Sequence, residues 1–249
     1  MFRFVWMGAE FALAGARFPW FVAFRRGKDR TRGRALWLHR SSARVLRVLG
    51  LQPKSAGEKP VSGLLVCNHL TYLDILVLAT LTPCLFVSKR EVRGWPVLGW
   101  FAQLAGTVFV HRERRSQTVE ATKGIEALLD HGALVVLFPE GTSSNGEVVL
   151  PFKSALLEPA AQHRHPLSVG FIRYEVSDGD VAEDVCYWRD MTFFPHLVNL
   201  LSKRSVQAWV RFEPQPPMRL NRKELALKLQ GEILRLKGEG EARSSHLTA

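Results

Sequence analysis

The chain has 249 residues, a length that suits one domain with an appendage. Hydrophobic residues make up 47%, which excludes a disordered or fibrous chain, and 34 Lys and Arg against 23 Asp and Glu leave a net charge of +11. So basic a balance implies a polyanionic partner, either nucleic acid or an anionic membrane surface. The three cysteines, Cys67, Cys84 and Cys186, are odd in number and scattered. They argue against a disulfide framework and fit buried thiols in a reducing compartment.

Residues 4–24, FVWMGAEFALAGARFPWFVAF, are apolar and aromatic but broken by Glu10, Arg17 and Pro19. The run is long enough to span a bilayer, yet these interruptions disfavour a span. Its positive flank follows the apolar run, the reverse of a secretory signal. Between residues 25 and 47, nine Arg and Lys are opposed only by Asp29, so most of the net charge lies there. An aromatic segment followed by an arginine cluster has the composition of an interfacial anchor on an anionic leaflet. In residues 33–50, Leu38, Val45 and Leu49 share one helical face, and Arg40, Arg44 and Arg47 share another. The same pattern suits a helix packed on the domain with a solvated basic face. Nucleic acid is the weaker partner, because no finger spacing or aromatic-studded basic strand occurs.

Residues 51–62, LQPKSAGEKPVS, read as a polar linker. Strands and helices then alternate: a buried strand at 64–67, a helix at 73–81, a strand at 85–88, a helix at 94–105 and a strand at 107–110. An amphipathic helix is predicted over 116–132, with Gly132 as its stop, followed by a strand at 133–138. Three further apolar stretches, 167–174, 185–194 and 206–212, lead to a charged helix at 221–237 and a polar tail. The expected division is a helical membrane anchor at 1–50, a linker at 51–62, a domain at 63–237 and a disordered tail at 238–249. The alternation implies an α/β sheet with helices on its faces, in which sites collect at the carboxyl ends of strands.

Three motifs fall at strand ends. In VCNHLTYLDILVL (66–78), His69 suits general-base work and Asp74 can hold its other ring nitrogen. On one helix, residues five apart point about 140° apart. The pair therefore meets only if His69 lies in the turn and Asp74 in the first turn of the following helix, with Thr71 as N-cap. Asp74 alternatively completes a capping box with Thr71. In FPEGTSSNG (138–146), glycine in a strand-to-loop turn leaves N–H groups free to face an anion, and Glu140 is expected to project at the sheet's edge. A plain Gly/Ser/Asn turn is the alternative. In GTVFVHR (106–112), Arg112 just past a strand can grip a phosphate or carboxylate, or be a solvated charge.

Together these motifs resemble the glycerolipid acyltransferase family, which includes the lysophosphatidic acid acyltransferases. Its N-H-x-x-x-x-D block is matched by Asn68, His69 and Asp74, and its Gly–strand–Arg block by Gly106, Phe109 and Arg112. Its F-P-E-G-T block is matched by Phe138 to Thr142, and a fourth, opening on proline, by Pro166 to Val169. The resemblance covers about residues 60 to 175 and departs twice. His111 stands where the family usually has Asp, and Ser143 where F-P-E-G-T is usually followed by Arg. The later segment YWRDMTFFPHLVNLL is similar to a bacterial branch that acylates lyso-ornithine lipid.

The resemblance implies a mixed central sheet flanked by helices, with an N-terminal helical membrane-docking segment. It implies an O-acyltransferase that moves an acyl chain from acyl-CoA or acyl-carrier protein to a lysolipid hydroxyl. The acceptor is 1-acylglycerol-3-phosphate, giving phosphatidic acid, by a slight preference over lyso-ornithine lipid. His69 would be the base and Asp74 its orienting carboxylate. Arg112, Glu140, Gly141 and Thr142 would hold the acceptor, with the Gly141 N–H a candidate for the oxyanion. With arginine absent at 143, Arg112 and Lys153 are left for a phosphate. No metal or other cofactor is implied. The partners are membrane lipids of an anionic leaflet and the acyl carrier, not nucleic acid, at the cytoplasmic face of the inner membrane. A serine hydrolase is disfavoured because no Gly-x-Ser-x-Gly elbow occurs. A non-catalytic docking module leaves the three coincident motifs without a use.

Overall fold

The computed structural model describes residues 2–110, 115–162 and 165–247. Two long helices open it, α1 (Phe2–Val22) and α2 (Gly27–Leu49), folded back as a hairpin. Gly33 lets them close: a Cβ there would stand 2.0 Å from the Phe21 carbonyl oxygen. Trp37 is fully buried between them, donates its indole N–H to the Ala14 carbonyl at 2.8 Å, and stacks on Phe101. Glu10 breaks the apolar run in sequence, but here it turns inward and is gripped by Arg44 through two bonds of 2.5 and 2.9 Å. That hydrogen bonding outweighs burial and holds the Glu10 carboxyl below its ordinary range.

The strands are β1 (Lys54–Ala56), β2 (Gly63–Cys67), β3 (Leu85–Lys89), β4 (Val108–Val110), β5 (Leu134–Leu137), β6 (Leu167–Val176) and β7 (Val206–Gln215). They form one seven-stranded sheet in the order β1-β7-β6-β2-β5-β3-β4. Only β6 and β7 pair antiparallel, so the sheet is mixed, as expected. The central β2 is buried along its whole length, which its uninterrupted apolar sequence requires.

Alternation along the strands divides the core into two layers. Leu65, Cys67, Val136 and Ile172 face α1, α2, α3 (Leu73–Leu81) and α4 (Leu98–Ala105). Leu64, Val66, Val135 and Val169 face α5 (Arg115–Asp130), α6 (Glu158–Ala161) and the carboxyl-terminal helix. After β6 come a short α7 (Val181–Asp184), α8 (Phe193–Ser202) and, beyond β7, α9 (Arg222–Leu247).

Three expected boundaries change. The linker at 51–62 is built into the sheet, where β1 covers the edge of β7 in parallel register from Lys54 opposite Trp209. Apolar stretch 185–194 does not extend the sheet: it is irregular up to Thr192 and then enters α8, whose buried His196, Leu197 and Leu200 have helical spacing. Helix α9 continues to Leu247 through the expected tail, tied to the sheet by Arg211–Glu239 at 3.0 Å and along itself by Arg235–Glu239 at 2.6 Å.

Candidate active site

β2 ends in the interior at Cys67, so the chain leaves the sheet with backbone groups that need partners. Asn68 supplies them. Its side chain donates to the Ile172 carbonyl at 3.0 Å and accepts the Ile172 N–H at 2.8 Å, fastening the end of β2 to β6. His69 follows in the turn, and α3 begins four residues later, which brings Asp74 behind the imidazole. The Nδ1–Oδ2 distance is 2.8 Å. The predicted geometry of the pair holds.

Asp74 is completely buried and accepts four hydrogen bonds. Oδ2 takes the imidazole and the N–H groups of Leu70 (2.7 Å) and Thr71 (3.0 Å), and Oδ1 takes the Tyr174 hydroxyl at 2.7 Å. The bond from Thr71 N–H is the returning half of a capping box, so both readings of Asp74 are realised at once. The Thr71 hydroxyl, expected as the cap, has no hydrogen-bond partner among the described residues. Burial, then the charge of Asp74, pushes the Tyr174 hydroxyl well above its ordinary value, so it stays a donor. Because a carboxylate only accepts, the His69 proton sits on Nδ1 and leaves the Nε2 lone pair available.

The F-P-E-G-T turn lies directly alongside. Phe138 stacks on the His69 ring, with centroids 4.2 Å apart. Glu140 does not project at the edge. It is buried, and its two oxygens accept the N–H groups of His69 and Leu150, each at 2.8 Å. Burial lifts its carboxyl to about 6 against those hydrogen bonds. The Ser144 N–H donates to the His69 carbonyl at 3.0 Å, so the two loops are joined from both sides. Gly141 adopts φ +75°, as a left-handed turn requires, and its N–H donates to the Phe138 carbonyl at 3.1 Å. That bond closes the turn, which corrects the expectation that this N–H faces an oxyanion.

In front of His69 lies a cleft of about 390 Å³. Gly141, Thr142 and Ser143 line it beside the imidazole, and its largely apolar walls come from Phe11, Leu38, Val45, Leu76 and Phe101 on α1 to α4. The structure thus brings His69, Asp74, Glu140, Gly141 and Thr142 together, but only His69, Gly141 and Thr142 line the cleft, with Asp74 and Glu140 buried behind it. Arg112 lies outside the described residues. Lys153 is exposed and is not part of the cleft lining. Sequence reasoning missed Tyr174, whose signal was a hydroxyl in an otherwise buried strand, and it gave no site role to Tyr187–Arg189, the start of the branch-like segment, which line the cleft from after α7. Among the described residues, no three His, Cys, Asp or Glu side chains gather as metal ligands. An imidazole with one nitrogen held by a dry carboxylate and the other facing an apolar cleft is equipped to take a proton.

Comparison with known proteins agrees with this arrangement. The acyltransferase family model matches residues 52–172, a span that includes both loops of the site. The lyso-ornithine lipid O-acyltransferase of Brucella abortus is 36% identical over 76% of this chain and 77% of its own. The 1-acyl-sn-glycerol-3-phosphate acyltransferase of Neisseria gonorrhoeae is 32% identical over 66% and 68%. Among solved structures, the 1-acyl-sn-glycerophosphate acyltransferase of Thermotoga maritima shares the fold, with a TM-score of 0.66 over 95% of both chains at 19% identity. A relative 36% identical over 76% of the chain, together with a family model that spans both loops around the histidine, settles the kinship: the chain belongs to the acyltransferase family.

Proposed function

We propose that the protein transfers an acyl chain from a thioester donor, acyl-CoA or acyl-carrier protein, to the free hydroxyl of a lysolipid. The observation that carries this reading is the His69–Asp74 pair, 2.8 Å apart, at an apolar cleft. In the proposed step the acceptor hydroxyl oxygen attacks the thioester carbonyl carbon while Nε2 of His69 removes its proton. Asp74 stabilises the imidazolium. Collapse of the tetrahedral intermediate breaks the C–S bond, and the thiolate takes the proton back from His69. The acceptor itself is the nucleophile, so no enzyme serine or cysteine is required. Cys67, the nearest thiol in sequence, is held protonated by burial and by Asp74. Glu140 has a supporting role in this reading, since it braces the His69 backbone. Thr142 and Arg112 are assigned to the acceptor, and the apolar walls to acyl chains.

The acceptor favoured here is lyso-ornithine lipid, with lysophosphatidic acid as the second reading. Where the phosphate-handling pattern has arginine, Ser143 donates its hydroxyl to the Tyr187 carbonyl and contributes no charge. The Brucella abortus relative points the same way.

The same reading places the protein at an anionic membrane surface on the cytoplasmic side, where both lipids reside. Support comes from exposed Val5, Trp20 and Phe24 beside Arg25 and Arg26, and from exposed Trp100 and Phe194 on α4 and α8. Among the described residues, no helix is long and apolar enough to cross a membrane.

The test offers labelled acyl-CoA and acyl-carrier protein with each lysolipid to wild type and His69→Ala. Transfer by wild type and its loss in the variant are expected. Equal transfer by both proteins would overturn the role of His69.

A further inference from the structure

Resting on that reading, we propose that Arg189 holds the acceptor's anionic headgroup, taking the place of the arginine absent at position 143. The ligand chemistry is an oxyanion, either the carboxylate of an amino-acid headgroup or a phosphate monoester.

Arg189 lines the same cleft as His69, Thr142 and Ser143. The segment that carries it is fastened to both loops of the site. The Tyr187 N–H donates to the Leu70 carbonyl at 2.9 Å, one residue after His69, and the Tyr187 carbonyl accepts the Ser143 hydroxyl. Serine at 143 therefore does more than remove a cation. It ties down the strap that presents another one two residues later.

The guanidinium is also positioned locally. Its carbon lies 3.7 Å from the centre of the Trp188 ring, and the Trp188 indole N–H is anchored on the Ala182 carbonyl at 3.0 Å. A guanidinium stacked on an aromatic face keeps its N–H edges open for a two-pronged grip on an oxyanion. Among the described residues no acidic side chain pairs with it. The backbone of Arg189 has φ +52°, a left-handed conformation that a long side chain rarely adopts. Such strain persists where surrounding contacts over-determine it, and it concentrates at ligand-gripping positions.

The experiment measures acyl transfer against acceptor concentration for wild type, Arg189→Gly and Arg189→Lys, with lyso-ornithine lipid and lysophosphatidic acid assayed separately. Glycine accepts the left-handed backbone, so Arg189→Gly removes the guanidinium without disturbing the strap. The expected result is an acceptor KM raised about tenfold or more, the loss of a charge-assisted bond, with the acyl-donor KM and kcat unchanged and partial rescue by lysine. The acceptor that shows the shift identifies the oxyanion as carboxylate or phosphate. An unchanged acceptor KM in Arg189→Gly would overturn the inference. So would a shift carried by Arg112→Ala, or by Lys89→Ala at the other cation that lines the cleft, and absent from Arg189→Gly. Wild type that acylates neither lipid would overturn the acyl-transfer reading itself, and the inference with it.

Discussion

The two sides of His69 are built on opposite principles. Behind the ring, Asp74, Tyr174, Asn68 and Glu140 form a buried polar support in which Asp74 accepts four directional hydrogen bonds and Glu140 two. In front, the cleft is walled by separate helices that meet through aromatic contacts such as Phe11–Phe101 and Phe18–Trp37. Hydrogen bonds between buried groups specify a geometry and penalise departures from it. Apolar contacts are non-directional and tolerate changes of shape at similar volume. One histidine can therefore be rigidly aimed while it faces a container able to accept flexible chains.

The largest effect belongs to the point where the two sides meet. His69→Ala should lower acyl transfer by about 10²–10⁴-fold. Its unfolding free energy should fall by about 1.5–3 kcal/mol as well, since the variant withdraws one of the four donors to the buried Asp74. Unchanged stability in urea melts would show that Asp74 replaces the lost imidazole donor with another. Next comes the support alone. Tyr174→Phe withdraws the donor to Asp74 Oδ1 and should cost about 1.5–3 kcal/mol, the range for a bond to a charged group. Denaturant titration checks this, and a neutral result would mean that Oδ1 finds another donor.

On the outer side, Trp20→Ser should weaken partitioning onto anionic vesicles by roughly tenfold, the loss of one apolar side chain from the interface, with stability unchanged. Equal binding in a sedimentation assay would remove α1 from the docking surface. The smallest effect is a slope with pH. Glu140 titrates at about 6 in the fold, against an ordinary 4.5. Between these values the folded chain keeps a proton that the unfolded chain has released. Stability from this group is thus fully present below about 4.5 and is lost as pH rises through about 6. Melts at pH 4.5 and 7 should show wild type losing on the order of 1 kcal/mol relative to Glu140→Gln. A constant gap between the two proteins would contradict the burial effect.

The support was partly legible in the sequence because His69 and Asp74 are local to one another, and a spacing of five admits only a turn-then-helix arrangement. The apolar alternation also revealed the sheet and its two faces. What escaped was non-local. Tyr174 reads as one more strand residue until β6 pairs with β2. Glu140 reads as an exposed loop carboxylate until the His69 N–H turns toward it. Residues 51–62 read as a linker because three residues of strand carry no periodicity, and only the open edge of β7 recruits them. The aromatic stretch 185–194 has strand-forming residues but joins no edge of the sheet, and its end enters a helix whose Phe193 and Leu197 pack with Met7 of α1 and Val48 of α2.

The distances along the chain between His69 and its helpers also constrain biogenesis. Glu140 lies 71 residues downstream, and Tyr174 comes 100 residues after the Asp74 it supports. A chain emerging from the ribosome cannot finish the site until β6 is out, whereas α1 and α2, with their exposed indoles and arginines, precede the whole sheet. On the proposed reading, the docking face is thus made while the chemistry is still switched off, and a product truncated before Tyr174 would keep that face without the full support of its histidine.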